Sequence, residues 1–207
     1  MTDIDVTLSV IVPTTGRGTL SATLASAAEQ LEPGDEILVL CNRDGDFGNR
    51  ARQDLLERAR GTHLLFMDDD DQFARGAFAA MRCFAKEHPG RVGIFRIQYL
   101  NGRRLWASPE LRRTNVSTQM FCVPNAADKL GSWTLEASES APKRRDYVAD
   151  FDFISRTVEL QGEPIFVDVV VALVRSDRRP LVRRAQQVAA AGKAVGRRIT
   201  RLVRRSP

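Results

Sequence analysis

Two histidines and three cysteines in 207 residues leave little material for soft-metal or disulfide chemistry. His63 and His88 are too few for a histidine-rich zinc site. His63 lies inside an apolar run and reads as a packed residue. His88, ahead of Pro89-Gly90, reads as the polar end of a helix. Cys41, Cys83 and Cys122 are odd in number and lack CxxC spacing, which predicts reduced thiols in a cytoplasmic compartment. No apolar run approaches the roughly 20 residues that span a bilayer. The opening MTDIDVTLSV has two acids and no basic segment, unlike a secretion signal. Internal repeats are absent too. A soluble protein with one full core is the expectation.

Charge is present but unevenly placed. Residues 176–207 hold ten Lys/Arg against the single acid Asp177, a balance of +9 within a chain of net +5. The remainder is therefore mildly acidic, and the basic character belongs to the tail. From Leu181, the residues Ala185, Val188, Gly192, Val195, Ile199 and Leu202 follow at alternating spacings of four and three. That is a basic amphipathic helix, the pattern of an anionic membrane-surface contact. A solvated terminus is the plain alternative, and contact with nucleic acid ranks below both. The expected division is a domain over 1–176 and this tail over 177–207.

Along the body, short apolar runs alternate with helix-spaced segments. LSVIVP, EILVLC and THLLFM read as buried strands. Helices are expected from Leu20, over about 49–60, and across GAFAAMRCFAKEH. This order predicts parallel strands with helices on their faces, and ligands then bind outside the strands' carboxyl ends. Three loops should converge there: Pro13 to Gly18, Cys41 to Gly48, and Asp68 to Gln72. The second half predicts a hairpin around Asn101-Gly102, a strand over Val116 to Pro124, a helix after Asp150, and a last buried strand PIFVDVVVALV. The sheet is therefore expected to be mixed.

The run Asp68-Asp69-Asp70-Asp71 ends the third strand. A solvated acidic loop is the commonest fate of such a run. Its place in the predicted crevice favours a hard divalent cation with phosphate, since Mg²⁺ takes one or two carboxylates plus substrate oxygens.

Several motifs in order resemble the family-2 glycosyltransferases of GT-A fold. They are Val12-Pro13-Thr14, then Gly48, Ala51, Arg52 and Gln53, then Asp68, Asp70 and Asp71, then KLGSW, then ADFDFISRTVELQG with Arg175 beyond. The resemblance spans roughly residues 7–176. It departs from the family at Thr15-Gly16, at Leu40-Cys41-Asn42, at the spacing of Gly48 to Ala51, at Gln53, and at Ala149. It implies a GT-A-like domain with a Rossmann-like nucleotide-binding half, Mn²⁺ or Mg²⁺, and a nucleotide-sugar donor, UDP-linked in first place. It implies inverting transfer to an acceptor hydroxyl of a glycan, lipid or protein at the cytoplasmic face.

The site residues follow from the resemblance and from the converging loops. Pro13, Thr14, Arg17, Asn42, Arg52, Asp68 and Asp69 are expected around the nucleotide. Asp70 is the metal ligand, and Asp71 and Trp133 lie on the sugar or acceptor side. Asp69 occupies the motif's variable position and is expected to matter least. Asp150 is the implied base; on residue chemistry alone it reads as a helix N-cap, and Asp146 and Asp152 are its rivals. Following Leu130-Gly131, Trp133 is more often a packing residue than a platform for an acceptor sugar. Two other functions fit parts of the chain. TTGRGT loosely resembles the glycine-rich loop of a sugar-1-phosphate nucleotidyltransferase, and a non-catalytic GT-A-like binding protein would need no base.

Overall fold

The computed structural model describes residues 5–43, 45–134 and 149–175. The predicted tail helix and Asp146 lie outside the described residues. Eight strands and four α-helices follow the chain as β1 (Leu8–Thr14), α1 (Leu20–Ala28), β2 (Glu36–Cys41), α2 (Asn49–Leu56), β3 (His63–Phe66), β4 (Gln72–Phe73), α3 (Ala77–Glu87), β5 (Gly93–Tyr99), β6 (Arg104–Leu105), β7 (Phe121–Pro124), α4 (Ala149–Gln161) and β8 (Ile165–Val174). They form one mixed sheet in the order β2-β1-β3-β7-β5-β8-β4, with β6 paired to β5. β1 runs parallel to both β2 and β3, which sends their carboxyl ends to one edge. β7 is antiparallel to β3 and β5, making the sheet mixed.

The core follows from the apolar runs. Every residue of β1 and β3 is buried, because each strand has neighbours on both sides and cover on both faces. Two expectations of buried strands are corrected. β2 is the sheet's edge, and its residues are half-buried or exposed. β8 leaves Asp168, Val169 and Leu173 exposed, and β4 pairs with it only at Leu173 and Ala172. The expected strand over 116–124 is shorter: residues 118–120 form a 3-10 turn, and only Phe121–Pro124 pairs. α2 likewise stops at Leu56, followed by a turn at Glu57 and Arg58. The hairpin at Asn101-Gly102 is present, joining β5 to β6. His63 is packed in β3 as expected, and burial lowers its pKa to about 4, so it is neutral at pH 7.

One ion pair ties the layers together. Asp35, in the turn before β2, has a fully buried carboxylate paired with Arg82 of α3. Its oxygens also accept the backbone N–H groups of Leu8 (2.8 Å) and Glu32 (2.8 Å). Arg82 adds a 2.7 Å bond to the carbonyl of Val6. A cation on the apolar face of α3 is thereby paired, and the helix is fixed against the start of β1. Among the described residues no helix is long and apolar enough to cross a membrane.

Candidate active site

The three predicted loops do meet beyond the carboxyl ends of β1, β2 and β3. The backbone N–H of Asn42 donates to the carbonyl of Thr14 at 2.9 Å, closing the β2 loop onto the β1 loop. Gly48 takes a left-handed φ of 81°, and a Cβ there would lie 2.8 Å from that of Pro13. That position therefore suits glycine twice over. Asp69 holds the β1 loop to the acidic turn. Its Oδ2 accepts the Thr14 hydroxyl at 2.7 Å and the Thr15 N–H at 3.1 Å, and Arg17 lies 3.4 Å away. Asp69 is buried. The expectation that it matters least is therefore corrected: it is the tie between two loops, not a spare carboxylate.

The acidic turn is anchored further by the Asp71 N–H donating to the Asp68 carbonyl at 3.2 Å. The Thr23 hydroxyl of α1 donates to the Asp71 carbonyl at 2.7 Å. Asp68, Asp70 and Asp71 each present a carboxylate oxygen within 4.8 Å of the others. Arg17 donates to Asp70 at 2.5 Å, and Arg52 pairs with Asp68. Four carboxylates against these two guanidiniums leave an excess of two negative charges when all are ionised. A hard divalent cation matches both that excess and the all-oxygen donor set. Burial raises the Asp70 pKa, Arg17 opposes it, and the charges of Asp68 and Asp69 push it up again.

Arg52 is only 3% exposed. It donates to the Phe47 carbonyl at 2.9 Å, pairs with Asp68, and lies over the Trp133 ring, 5.0 Å from its centroid. Trp133 is 1% exposed, stacks on Phe153 at 4.5 Å, and meets Phe66. Of the two readings of Trp133, this geometry matches packing and not the acceptor-sugar platform, because its ring is enclosed by core partners. The ring acts instead as the floor beneath Arg52. The loop carrying Trp133 is set by Gln53 of α2, whose Oε1 accepts the Trp133 N–H at 3.0 Å. Gly131 donates its N–H to the Thr157 hydroxyl at 2.9 Å. A Cβ at Gly131 would stand 2.2 Å from the Phe153 carbonyl oxygen. Gly131→Ala should therefore cost about 1–3 kcal/mol by displacing this loop from α4, read as a lower urea midpoint at unchanged m.

Asp150 lies in the first turn of α4, inside the helix rather than at its cap. Burial raises its pKa to about 6; the charge of Asp68 raises it as well, whereas the Phe151 N–H and Arg52 oppose. Phe153 of the same helix stacks on Trp133, which lies under Arg52, so α4 packs against the residue that pairs with Asp68. Asp152, the described rival, faces Arg113 at 3.9 Å.

Gln119 is the residue that sequence reasoning missed. It is 3% exposed, and its Nε2 donates to Asp68 at 3.0 Å and to Asp71 at 2.7 Å. No motif marks it. The only available signal is register: extending the β3/β7 pairing beyond Leu65↔Cys122 sets residue 119 opposite residue 68.

No family model and no curated protein matches this sequence. Solved structures do. S. aureus TarS aligns with 83% of this chain and 37% of its own at 17% identity, with a TM-score of 0.61. Its residues 1–349 in complex with UDP align with 83% of this chain and 61% of theirs, at 17% identity and a TM-score of 0.57. The same segment in complex with UDP-GlcNAc aligns over 82% and 58%, at 18% identity and a TM-score of 0.57. The chain thus spans between 37% and 61% of the length of these solved chains. At such identity the likeness establishes architecture: this chain has the GT-A-like fold of S. aureus TarS, a family-2 glycosyltransferase.

Proposed function

We propose that the chain is a metal-dependent, inverting glycosyltransferase of hexosyltransferase type. It would move a sugar from a nucleoside diphosphate sugar to an acceptor hydroxyl. One observation carries the reading: three carboxylates cluster at the end of β3, and α4, which carries the half-buried Asp150, packs through Phe153 and Trp133 against the Arg52 that pairs with Asp68. They do so in a fold whose neighbours were solved with UDP and UDP-GlcNAc, which supports a UDP-linked donor.

Asp68, Asp70 and Asp71 fit Mn²⁺ or Mg²⁺, with Asp70 the principal ligand. When bound, the cation supplies positive charge to a departing diphosphate. Asp68 is assigned toward the ribose and Asp71 toward the donor sugar. Arg52, being buried, orients Asp68 rather than touching a nucleobase. Arg17 is half-exposed beside Asp70 and supplies a cation within reach of phosphate oxygens. Pro13, Thr14 and Asn42 shape the nucleoside side, and Asp69 fixes their loop. Asp150 would take the proton of the acceptor hydroxyl on the face opposite the leaving group, which gives inversion. We assign catalysis to residues 1–176 and the acceptor to surface glycans or glycolipids. On its charge alone, the 177–207 segment is assigned to an anionic membrane surface at the cytoplasmic face.

The test is release of UDP from UDP-sugars by the full chain. Release should require Mn²⁺ or Mg²⁺ and stop with EDTA. Asp70→Ala should lower it about 100-fold or more while the melting temperature holds. Absence of both metal-dependent UDP release and calorimetric UDP binding would overturn the reading.

A further inference from the structure

Gln119 has no role in the chemistry described so far, yet its amide touches two carboxylates of the acidic turn. That amide sits in the 3-10 turn that leads into β7, and β7 is hydrogen-bonded to β3. The backbone therefore fixes where the side chain starts. The amide is also oriented. Its Oε1 accepts the Ser117 hydroxyl at 2.8 Å, while its Nε2 serves Asp68 Oδ2 and Asp71 Oδ2. Reversing the amide would set its oxygen against two carboxylates, so one orientation is strongly favoured.

The chemistry of this arrangement is specific. Asp68 and Asp71 would repel one another without something between them. An arginine or lysine there would hold them together but would cancel charge that a cation needs. A carboxamide supplies two N–H donors and no charge. It brings the two carboxylates together and leaves their full negative charge in place.

We propose that Gln119 is a positioning residue, an uncharged bridge that sets the spacing and orientation of Asp68 and Asp71 for a divalent cation. This inference rests on the glycosyltransferase reading for the identity of the site. It adds a residue from the turn into the neighbouring strand β7 to a cluster drawn otherwise from one turn.

The test uses the full chain and Mn²⁺ alone, without donor or acceptor. Free Mn²⁺ is counted by its electron paramagnetic resonance signal during a titration, and melting temperature is followed without metal. Gln119→Met keeps the side chain's length and removes both donors. It should weaken Mn²⁺ binding about 10- to 100-fold, the usual effect of losing a group that orients ligands. Ser117→Ala keeps the amide but removes the hydrogen bond that holds its Oε1 and should weaken binding in the same direction by a smaller factor, which covers a Gln119→Met protein that does not fold. Wild-type Mn²⁺ affinity in a folded Gln119→Met protein, or in Ser117→Ala if only that variant folds, would overturn the inference and leave the glycosyltransferase reading standing. A wild-type protein that takes up no Mn²⁺ would also overturn the inference, while the glycosyltransferase reading would still be decided by UDP release and UDP binding.

Discussion

Asp150→Asn is expected to lower turnover by roughly 100- to 10 000-fold, the usual span for a general base, with donor KM nearly unchanged. Asparagine keeps the shape and can still meet the Phe151 N–H that Asp150 Oδ1 now accepts at 2.9 Å. It cannot take a proton. The pH profile supplies the second readout. A base acts when ionised, so wild-type activity should rise through a midpoint near 6 and level above it. The residual activity of the variant should lose that limb.

Stability should move the opposite way. The folded pKa of Asp150 lies above its ordinary value, so the carboxyl favours folding below pH 3.8, and that contribution is lost as pH rises through about 6. At pH 8 the variant should therefore be more stable by on the order of 1–3 kcal/mol, given about 1.4 kcal/mol for each tenfold change in proton affinity. Equal activity of the two proteins, or loss of stability on substitution, counts against Asp150 as the base. The Asp68 carboxylate matters here because it sits close enough to raise the pKa of Asp150. A cation bound at the cluster would oppose that effect, so the midpoint should fall as Mn²⁺ is added.

The second large effect concerns folding. Asp35→Ala should cost about 3–5 kcal/mol, because it strands the Arg82 guanidinium and the Leu8 N–H in the interior. A domain of ordinary stability, about 5–15 kcal/mol, would be left marginal. Arg82→Leu alone should also be costly, since the Asp35 charge would stay buried without its cation. The pair Asp35→Leu with Arg82→Leu should cost less than the two single losses added together, as the charges leave together. Chemical denaturation of the three variants at one pH decides this. Additive losses would show that the pair is not the tie between α3 and the start of β1.

The strands are legible in the sequence because burial leaves a local signature. LSVIVP and THLLFM are continuous apolar runs, and both are buried along their strands. EILVLC and PIFVDVVVALV carry the same signature but lie at or near sheet edges, where half-burial suffices. Composition cannot reveal which strands will lack a neighbour, because that depends on sheet order. The acidic turn and its place beyond β3 are legible too, since a parallel order fixes which strand ends face the ligand crevice. The roles inside the turn are not. Motif position sets Asp69 aside, yet its carboxylate meets Thr14 and Thr15 across 55 and 54 residues of chain. Trp133 is legible as a packing residue or a sugar platform; the Phe153 beneath it and the Arg52 above decide for packing.

The sequence by itself determined the element types, the mixed α/β class and the delivery of four carboxylates to one crevice. These depend on periodicity and on charge close along the chain. Only the tertiary structure decided that Gln119 bridges two of those carboxylates and that Arg52 is buried beside them. Each of these depends on a partner far along the chain, and sheet register and helix docking bring the partners together with no trace in local pattern.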